Sequence, residues 1–302
     1  MAYSPSITLP LARLSRLLAG ALLLACMGGG VASAQRMLSV DPPVTLYRAQ
    51  AGETIDGVVT VANSGDTQAR VRMALSDWRY LEDGSPEYPA AGTLERSVTP
   101  WITFNPSEVT LDAKGKATIR YTIAVPKDAA AGSHWGVLFA VGVDPTPVPG
   151  VPLATFNVRV GHVIYVNVPP EDPEGEITGI FGVPPKSPDG DYTLAIQYAN
   201  TGNVAQRLNG YLELRNATGQ TLWHEEFPLR VTLPGETNVR LYHVLGPLPA
   251  GAYSALVVYN YGDPTKDVAG EYSFVLDTAL TEPAPEVGRH PVAPGEAPTA
   301  GQ

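Results

Sequence analysis

Few residues of this 302-residue chain have the types and spacing that catalysis or metal binding requires. Its five histidines do not lie at ligand spacing within a segment rich in cysteine or aspartate. The acidic pair Glu225-Glu226 lies on or beside a predicted strand, where successive side chains point to opposite faces and cannot act as an acid–base pair. The motifs of nucleophilic hydrolases, phosphate-binding loops, zinc proteases and dinucleotide-binding folds do not occur. The sequence therefore predicts a protein that is not an enzyme, has no metal site and uses no cofactor.

One acidic and aromatic segment is a candidate contact site. Trp78, Arg79 and Tyr80 follow an aspartate and precede Glu82-Asp83-Gly84. Because aromatic faces stack on sugar rings, these three residues could form a patch that contacts a glycan. In the alternative interpretation, which we favour, Trp78 and Tyr80 pack at a strand end and Glu82-Asp83-Gly84 is a turn.

The first 34 residues predict a signal peptide. Arg13 and Arg16 precede an apolar run at residues 17–27, and Ala32-Ser33-Ala34 has the small residues of a cleavage site. The run is short for a membrane span. Alternatively, Leu23-Leu24-Ala25-Cys26 is a lipobox, and cleavage before Cys26 would leave a lipid anchor. We expect an exported protein, periplasmic or associated with the cell envelope, with a lipoprotein or a secreted protein as the alternatives.

The charge of the chain limits its partners. Its formal net charge is −10, and removal of the leader makes the mature protein more negative, because the leader carries two arginines and no acidic residue. An acidic protein repels phosphate backbones and anionic head groups, so we expect neither nucleic acid nor lipid as a direct partner. We predict no transmembrane segment after the leader is removed. Cys26 is the single cysteine, so no disulfide stabilises the mature domains.

Two phrases recur in the same order. Val61-Ala62-Asn63-Ser64-Gly65-Asp66 returns as Tyr198-Ala199-Asn200-Thr201-Gly202-Asn203, and Val109-Thr110-Leu111 returns as Val231-Thr232-Leu233. Such repetition predicts two related β-domains. A tandem of β-domains favours a binding or scaffolding protein over an enzyme.

The rest of the sequence is typical of an all-β protein. Glycine and proline are abundant, apolar alternation occurs in short runs bounded by turn residues, and no helical period appears outside the leader. Seven or eight short strands per domain are expected of an immunoglobulin-like sandwich. We predict tandem immunoglobulin-like β-sandwich domains at residues 35–168 and 175–277. A proline-rich linker at 169–174 joins them, and a disordered tail occupies 278–302.

Several local features carry more specific expectations. Pro42-Pro43 interrupts the opening strand, which is therefore an edge strand or one that switches between sheets. Residues 109–111 and 117–125 are expected to form a hairpin through Lys114-Gly115. Residues 222–226 and 228–233 are expected to be separate strands.

Three motifs of the first domain resemble known families: Val58-Val59-Thr60-Val61-Ala62-Asn63-Ser64-Gly65, Trp101-Ile102-Thr103-Phe104-Asn105-Pro106-Ser107 and Trp135-Gly136-Val137-Leu138-Phe139. This domain resembles the first domain of PapD-like periplasmic pilus chaperones. It looks closer still to the peptidoglycan-binding domain of WxL-interacting surface proteins. Through Pro234-Gly235-Glu236 and Leu248-Pro249-Ala250-Gly251-Ala252-Tyr253, the second domain is similar to the partner domain found there.

The resemblance implies a role for the strand at residues 156–168. In pilus chaperones the equivalent edge strand donates alternating residues to a subunit, a form of β-augmentation. In the alternative, these side chains fill the core of their own sandwich. The candidate partner-binding residues are Val158, Arg159, Val160, His162, Ile164 and Val166.

The sequence thus predicts an exported, non-catalytic envelope protein. It would bind another protein, as a chaperone-like or scaffold component, or a cell-wall component such as peptidoglycan. The alternative is a carbohydrate-binding accessory module of an envelope enzyme system. The identity of the partner and the oligomeric state are left open.

Overall fold

The structure of the chain is a computed structural model that describes residues 38–81, 84–143, 158–188, 190–244, 247–263 and 265–281. The predicted signal peptide, Cys26 and the tail beyond residue 281 lie outside the described residues. Within these ranges the regular structure is β-strand, apart from a single 3-10 turn at Thr99–Trp101. No helix in the described ranges is long and apolar enough to cross a membrane.

The first domain is a sandwich of two sheets. Its four-stranded sheet has the order β1-β3-β9-β7, and its five-stranded sheet has the order β2-β11-β10-β4-β8. A separate hairpin, β5–β6, projects from the end of β4. The strands are β1 (Leu38–Asp41), β2 (Val44–Arg48), β3 (Thr54–Asn63), β4 (Ala69–Ser76), β5 (Arg79–Tyr80), β6 (Pro86–Glu87), β7 (Ile102–Asn105), β8 (Glu108–Leu111), β9 (Lys116–Ala124), β10 (Gly132–Val143) and β11 (Arg159–Val168).

The opening strand switches between the two sheets at Pro42-Pro43. Its first half, β1, pairs with β3, whereas its second half, β2, pairs in parallel with β11. Each half is also an edge strand of its sheet. Proline donates no backbone hydrogen bond, so the ladder is interrupted where the chain leaves one sheet for the other.

The expected hairpin at residues 109–125 is wrong. β8 pairs with β4 in one sheet, and β9 pairs with β3 and β7 in the other. The connection is an exposed arch that begins after buried Leu111 and turns through Lys114, whose φ is 60°. A short polar turn between alternating strands suits a connection between sheets as well as one within a sheet, so the pattern did not distinguish them.

The second domain is a sandwich of a three-stranded sheet, β12-β13-β16, and a four-stranded sheet, β15-β14-β17-β18. The prediction of two separate strands at residues 222–226 and 228–233 is wrong, because these residues form one continuous strand, β15. Pro228 is tolerated because β15 is an edge strand and its pairing with β14 shifts register there. The strands are β12 (Gly175–Val183), β13 (Tyr192–Asn200), β14 (Gln206–Asn216), β15 (Thr221–Thr232), β16 (Thr237–Val244), β17 (Gly251–Asn260) and β18 (Asp267–Leu276).

The asparagines of the repeated sequence motifs form equivalent hydrogen bonds between the two sheets of each domain, here called cross-sheet ties. Asn63 donates its side-chain amide to the carbonyls of Thr67 and Asp112, and Asn200 donates to those of Val204 and Thr232. Each asparagine also accepts a hydrogen bond from the backbone of the glycine two residues later. Both asparagines are 1% exposed, so each tie is a buried and satisfied polar unit. The repeat therefore marks a structural device common to the two domains.

Each sandwich encloses its own apolar core. The first core gathers inward residues of both sheets, such as Ile119, Leu138 and Ile164, and the second is rich in aromatic residues, such as Tyr198 and Tyr259. The chain is therefore an all-β protein of two tandem immunoglobulin-like β-sandwiches. A third apolar cluster lies where the two domains meet.

Candidate binding groove at the domain junction

Part of β11 is a free sheet edge. β11 pairs with β10 along its whole length, but β2 covers its other side only opposite residues 163–167. No described strand pairs with residues 159–162 on that side. This stretch of four residues is therefore open to an added strand.

The hydrogen bonds on either side fix which backbone groups this edge presents. The N–H of Val163 donates to Pro43, which precedes β2, while the N–H of Gly142 in β10 donates to the carbonyl of Val158. Alternation along the strand then directs the N–H and C=O groups of Arg159 and Gly161 away from β10. These groups are the ladder positions that a partner strand would use.

The inward residues of β11 pack in the sandwich core. Ile164 and Val166 are fully buried, and Val158 and Val160 pack against the same cluster. Ile164 and Val166 also lie opposite β2, where both edges of the strand are paired. The free edge in the described structure, residues 159–162, is therefore shorter than the partner-binding strand predicted at residues 156–168.

His162 is buried in a polar chain at the point where the opening strand switches sheets. Its Nδ1 lies 2.7 Å from the carbonyl oxygen of Pro42, which can only accept, so Nδ1 carries the proton. Its Nε2 then accepts from the hydroxyl of Tyr121 at 3.0 Å, and that hydroxyl lies 2.9 Å from the hydroxyl of Tyr47. Burial lowers the pKa of His162 below its ordinary 6.5, and the bond to Pro42 opposes this only in part.

This lowered pKa predicts a pH-dependent stability. As the pH falls, His162 takes up a proton near pH 6.5 in the unfolded chain but only at a lower pH in the folded chain. The free energy of unfolding is therefore highest above pH 6.5 and decreases as the pH falls towards the pKa of His162 in the folded protein. We expect His162→Gln to lose less stability than the unsubstituted protein between about pH 7 and about pH 5. Urea unfolding at each pH measures this difference. His243→Gln, on an exposed side chain, is the control, and equal losses in all three proteins would contradict the prediction.

Beside the free edge, the outer face of the five-stranded sheet forms an open apolar groove with a volume of about 660 Å³. Domain one supplies its floor from β2, β10 and β11 and one wall from the β5–β6 hairpin. Domain two closes its far end. The lining residues are Val44, Leu46, Trp78, Tyr80, Pro86, Tyr88, Val137, Phe139, Arg159, Val160, Gly161, Val163, Tyr165, Ala205, Arg207, Leu229 and Val231.

The structure places the predicted sugar-contact residues in this wall. Trp78 is 6% exposed and packs edge-on against Tyr80, with ring centroids 5.3 Å apart. Its carbonyl accepts a hydrogen bond from the indole of Trp135. Arg79 points elsewhere and forms an ion pair with Glu87 across the hairpin. Trp78 is thus a packing residue at the junction and not an open stacking platform.

The domain junction is a specific interface. The backbone N–H of Ser133 donates to the carbonyl of Asn203 at 2.8 Å, and the Ser133 hydroxyl accepts from the N–H of Ala205 at 2.7 Å. Trp135 and Tyr165 of the first domain pack with Leu233 of the second in the junction cluster. These contacts place the second domain against the end of the groove.

The charged residues that line the groove are both cationic. Arg159 stacks on two rings, with its guanidinium 4.7 Å from the centroid of Tyr88 and 4.8 Å from that of Phe139. Arg207 enters from β14 of the second domain. Neither arginine forms an ion pair with a carboxylate of the described residues. The groove therefore offers apolar surface and positive charge.

Sequence reasoning missed most of the groove and identified four of its lining residues, Trp78, Tyr80, Arg159 and Val160. The hairpin wall had one signal in the sequence, since the predicted turn at 82–84 is flanked by Arg79 and Glu87, an oppositely charged pair that could face across two strands. Arg207 and Leu229 had none, because nothing in their local sequence shows that they face another domain. Within the described ranges no cluster of three or more histidine, cysteine, aspartate or glutamate residues could hold a metal.

Comparison with known proteins gives similarity to solved structures. No family model and no curated protein matches the chain. The class 5 fimbriae chaperone CfaA is 10% identical, with a TM-score of 0.45, and the match covers 78% of this chain and 98% of that one. In the CsuC–CsuE chaperone–tip adhesion subunit complex of Acinetobacter baumannii, the matched chain is 14% identical, with a TM-score of 0.42 and coverages of 78% and 97%.

At these identities and TM-scores the similarity transfers no ligand, partner or activity to this chain. Both of these solved structures contain fimbrial or pilus chaperones, the class that the motifs of the first domain resemble. The resemblance to WxL-interacting surface proteins stays a prediction.

Proposed function

We propose that this chain is an exported, non-catalytic protein of the cell envelope that binds an extended segment of another protein. The segment adds as a strand to the free edge of β11 and places side chains in the adjoining groove. The observation that carries the proposal is the position of the Arg159 and Gly161 backbone groups, which no described strand pairs on the side away from β10, directly beside an open apolar surface.

Strand addition explains why both features occur together. Backbone hydrogen bonds to Arg159 and Gly161 would give affinity without depending on the partner's sequence, and the groove would select alternate side chains. A chaperone-like role towards an incomplete subunit fits this mode best, because such a subunit has an unsatisfied strand or segment to cover. Binding to peptidoglycan, and the carbohydrate-binding alternative, stay predictions that no specific feature of the described surface favours.

Gly161→Pro tests the edge. The N–H of Gly161 points away from β10, so proline removes a donor to the partner while sparing the ladder within the sheet. One lost hydrogen bond of about 1 kcal/mol should reduce partner binding roughly fivefold. Gly161→Ala is the matched control, because it adds the same Cβ atom and keeps the N–H.

A photo-reactive residue in place of Leu46, which is 54% exposed in the groove, reports binding in cells that make the full chain. A second photo-reactive variant at Val239, on domain two, measures background capture. We expect an adduct specific to position 46, identified by mass spectrometry, whose yield falls more with Gly161→Pro than with Gly161→Ala. Both variants add a Cβ atom 2.7 Å from the Val137 side chain, and only proline also removes the N–H. An undiminished adduct from a folded Gly161→Pro protein would exclude strand addition at this edge.

A further inference from the structure

The two groove arginines lie at opposite ends of the apolar floor. Arg159 begins β11, and Tyr165, six positions along the same strand, lies in the junction cluster with Ala205 of domain two. Arg207 is close enough to Tyr165 to oppose the rise in pKa that burial imposes on that phenol. At about 3.3 Å per residue, the backbone of Arg159 and that of Tyr165, the residue near Arg207, lie roughly 20 Å apart along β11.

The floor between these cations is apolar. Gly161 and Val163 of β11, Val137 of β10 and the exposed side chains of Val44 and Leu46 on β2 line it. No carboxylate is among the described lining residues, although the chain as a whole has a net charge of −10. An acidic protein that presents two arginines around an apolar surface is complementary to a segment with the opposite arrangement.

Resting on the function proposed above, we infer that the partner segment is extended, carries apolar residues at alternate positions and has an acidic side chain at each end. The acidic residues lie about six positions apart, because an extended peptide also rises by about 3.3 Å per residue. Positions an even number apart share one face of a strand. One carboxylate faces Arg159, where the segment pairs with the free edge. Beyond residue 162, where β2 occupies that edge, the segment crosses the exposed side chains of Val44 and Leu46 and places the other carboxylate at Arg207.

Arg159 is prepared for such a contact. The two rings beneath it hold its guanidinium in place without neutralising it, so its hydrogen-bond donors stay available. The exposed position of both arginines means that each contact is of surface strength. Discrimination between acidic and neutral segments should therefore be moderate and weaken as salt is added.

Synthetic peptides and the purified full chain test this inference. The acidic peptide has blocked termini, valine at alternate positions and two aspartates six positions apart. A matched peptide carries asparagine in their place, and a third carries the asparagines with a free terminal carboxylate. We expect the acidic peptide to bind roughly tenfold more tightly than the asparagine peptide in calorimetry.

Arg159→Gln and Arg207→Gln should each lower the ratio of acidic-peptide affinity to asparagine-peptide affinity about threefold. Arg79→Gln, at an exposed arginine outside the groove, is the matched control and should change neither peptide.

The outcomes separate the two proposals. Equal binding of the acidic and asparagine peptides, reduced by Gly161→Pro, would contradict the inferred pair of acidic side chains. It would leave the proposed strand addition intact. Tighter binding of the peptide with the free terminal carboxylate than of the acidic peptide would show that the arginines recognise a chain terminus. This result would also contradict the inferred pair of acidic side chains. Binding of none of the three would contradict the proposed function itself.

Discussion

Asp77→Ala should lower the free energy of unfolding by about 4 kcal/mol, the largest single-residue effect that we expect outside the apolar cores. The Asp77 side chain is fully buried. Its carboxylate accepts hydrogen bonds from the backbone N–H groups of Gly92 and Leu94 at 3.1 and 2.7 Å, and from the hydroxyls of Ser97 and Thr99 at 2.5 and 2.9 Å. Alanine would leave these donors buried without an acceptor, and each such loss is costly.

Chemical denaturation followed by tryptophan fluorescence measures this loss. Asp77→Asn should lie between the two proteins, because an amide keeps one acceptor oxygen and places donors against the N–H groups. Asp128→Ala removes an exposed aspartate from the same domain and should change stability by less than about 0.5 kcal/mol. Comparable effects of Asp77→Ala and Asp128→Ala would show that the loop around residues 90–99 does not depend on this carboxylate.

The same network predicts a dependence on acid. Burial alone would raise the pKa of Asp77, but hydrogen bonds from Ser97, Leu94, Gly92 and Thr99 outweigh it and hold the pKa below its ordinary 3.8. A lowered folded pKa gives stability that is fully present above pH 3.8 and is lost as the pH falls through the folded value. The stability difference between the unsubstituted protein and Asp77→Asn should therefore shrink in acid.

Much of the fold follows from local sequence. The proline pair at 42–43 and the repeated turns at Asn63 and Asn200 are features that short-range chemistry determines, because proline lacks a donor and asparagine satisfies a turn. The arch through Lys114 and the continuous β15 were mispredicted for one common reason. Sheet membership depends on which distant strand supplies the ladder partner, and a strand's own residues do not encode it.

The groove shows this limit more clearly. Its cation–π stack joins Tyr88 on the loop that follows β6, Phe139 in β10 and Arg159 in β11, three residues that are distant in sequence. Arg207 reaches it from another domain. Period-two alternation places Val160, Ile164 and Val166 on one face of β11. It could not show that the opposite face becomes a groove, because the domain junction creates that shape.

The groove depends on the angle between the domains, and that angle depends on one close backbone approach. Gly132 has a φ of +103°, and a Cβ atom there would lie 2.1 Å from the carbonyl oxygen of Asn203. This carbonyl accepts the hydrogen bond from Ser133 that joins the two domains. Only glycine permits this contact, since any side chain would meet backbone that cannot rotate away.

Gly132→Ala should therefore separate the domains and lower the free energy of unfolding by about 3 kcal/mol, from backbone strain and the loss of the two Ser133 hydrogen bonds. Small-angle scattering should detect an increased radius of gyration, and the groove should lose affinity for the acidic peptide, because Arg207 moves away from Arg159.

Gly219→Ala is the control that separates the cost of a left-handed backbone from the cost of the clash with Asn203. Gly219 has a φ of +81°, but no atom lies within 4 Å of an added Cβ, so alanine there costs only the left-handed backbone, about 1 kcal/mol. Its scattering profile and peptide affinity should be unchanged. Equal stability, scattering profile and peptide affinity of Gly132→Ala and Gly219→Ala would show that the junction around Ser133 does not fix the shape of the groove. Contacts of the β5–β6 hairpin with domain two, such as Arg230 over Tyr80, would then hold the domains together.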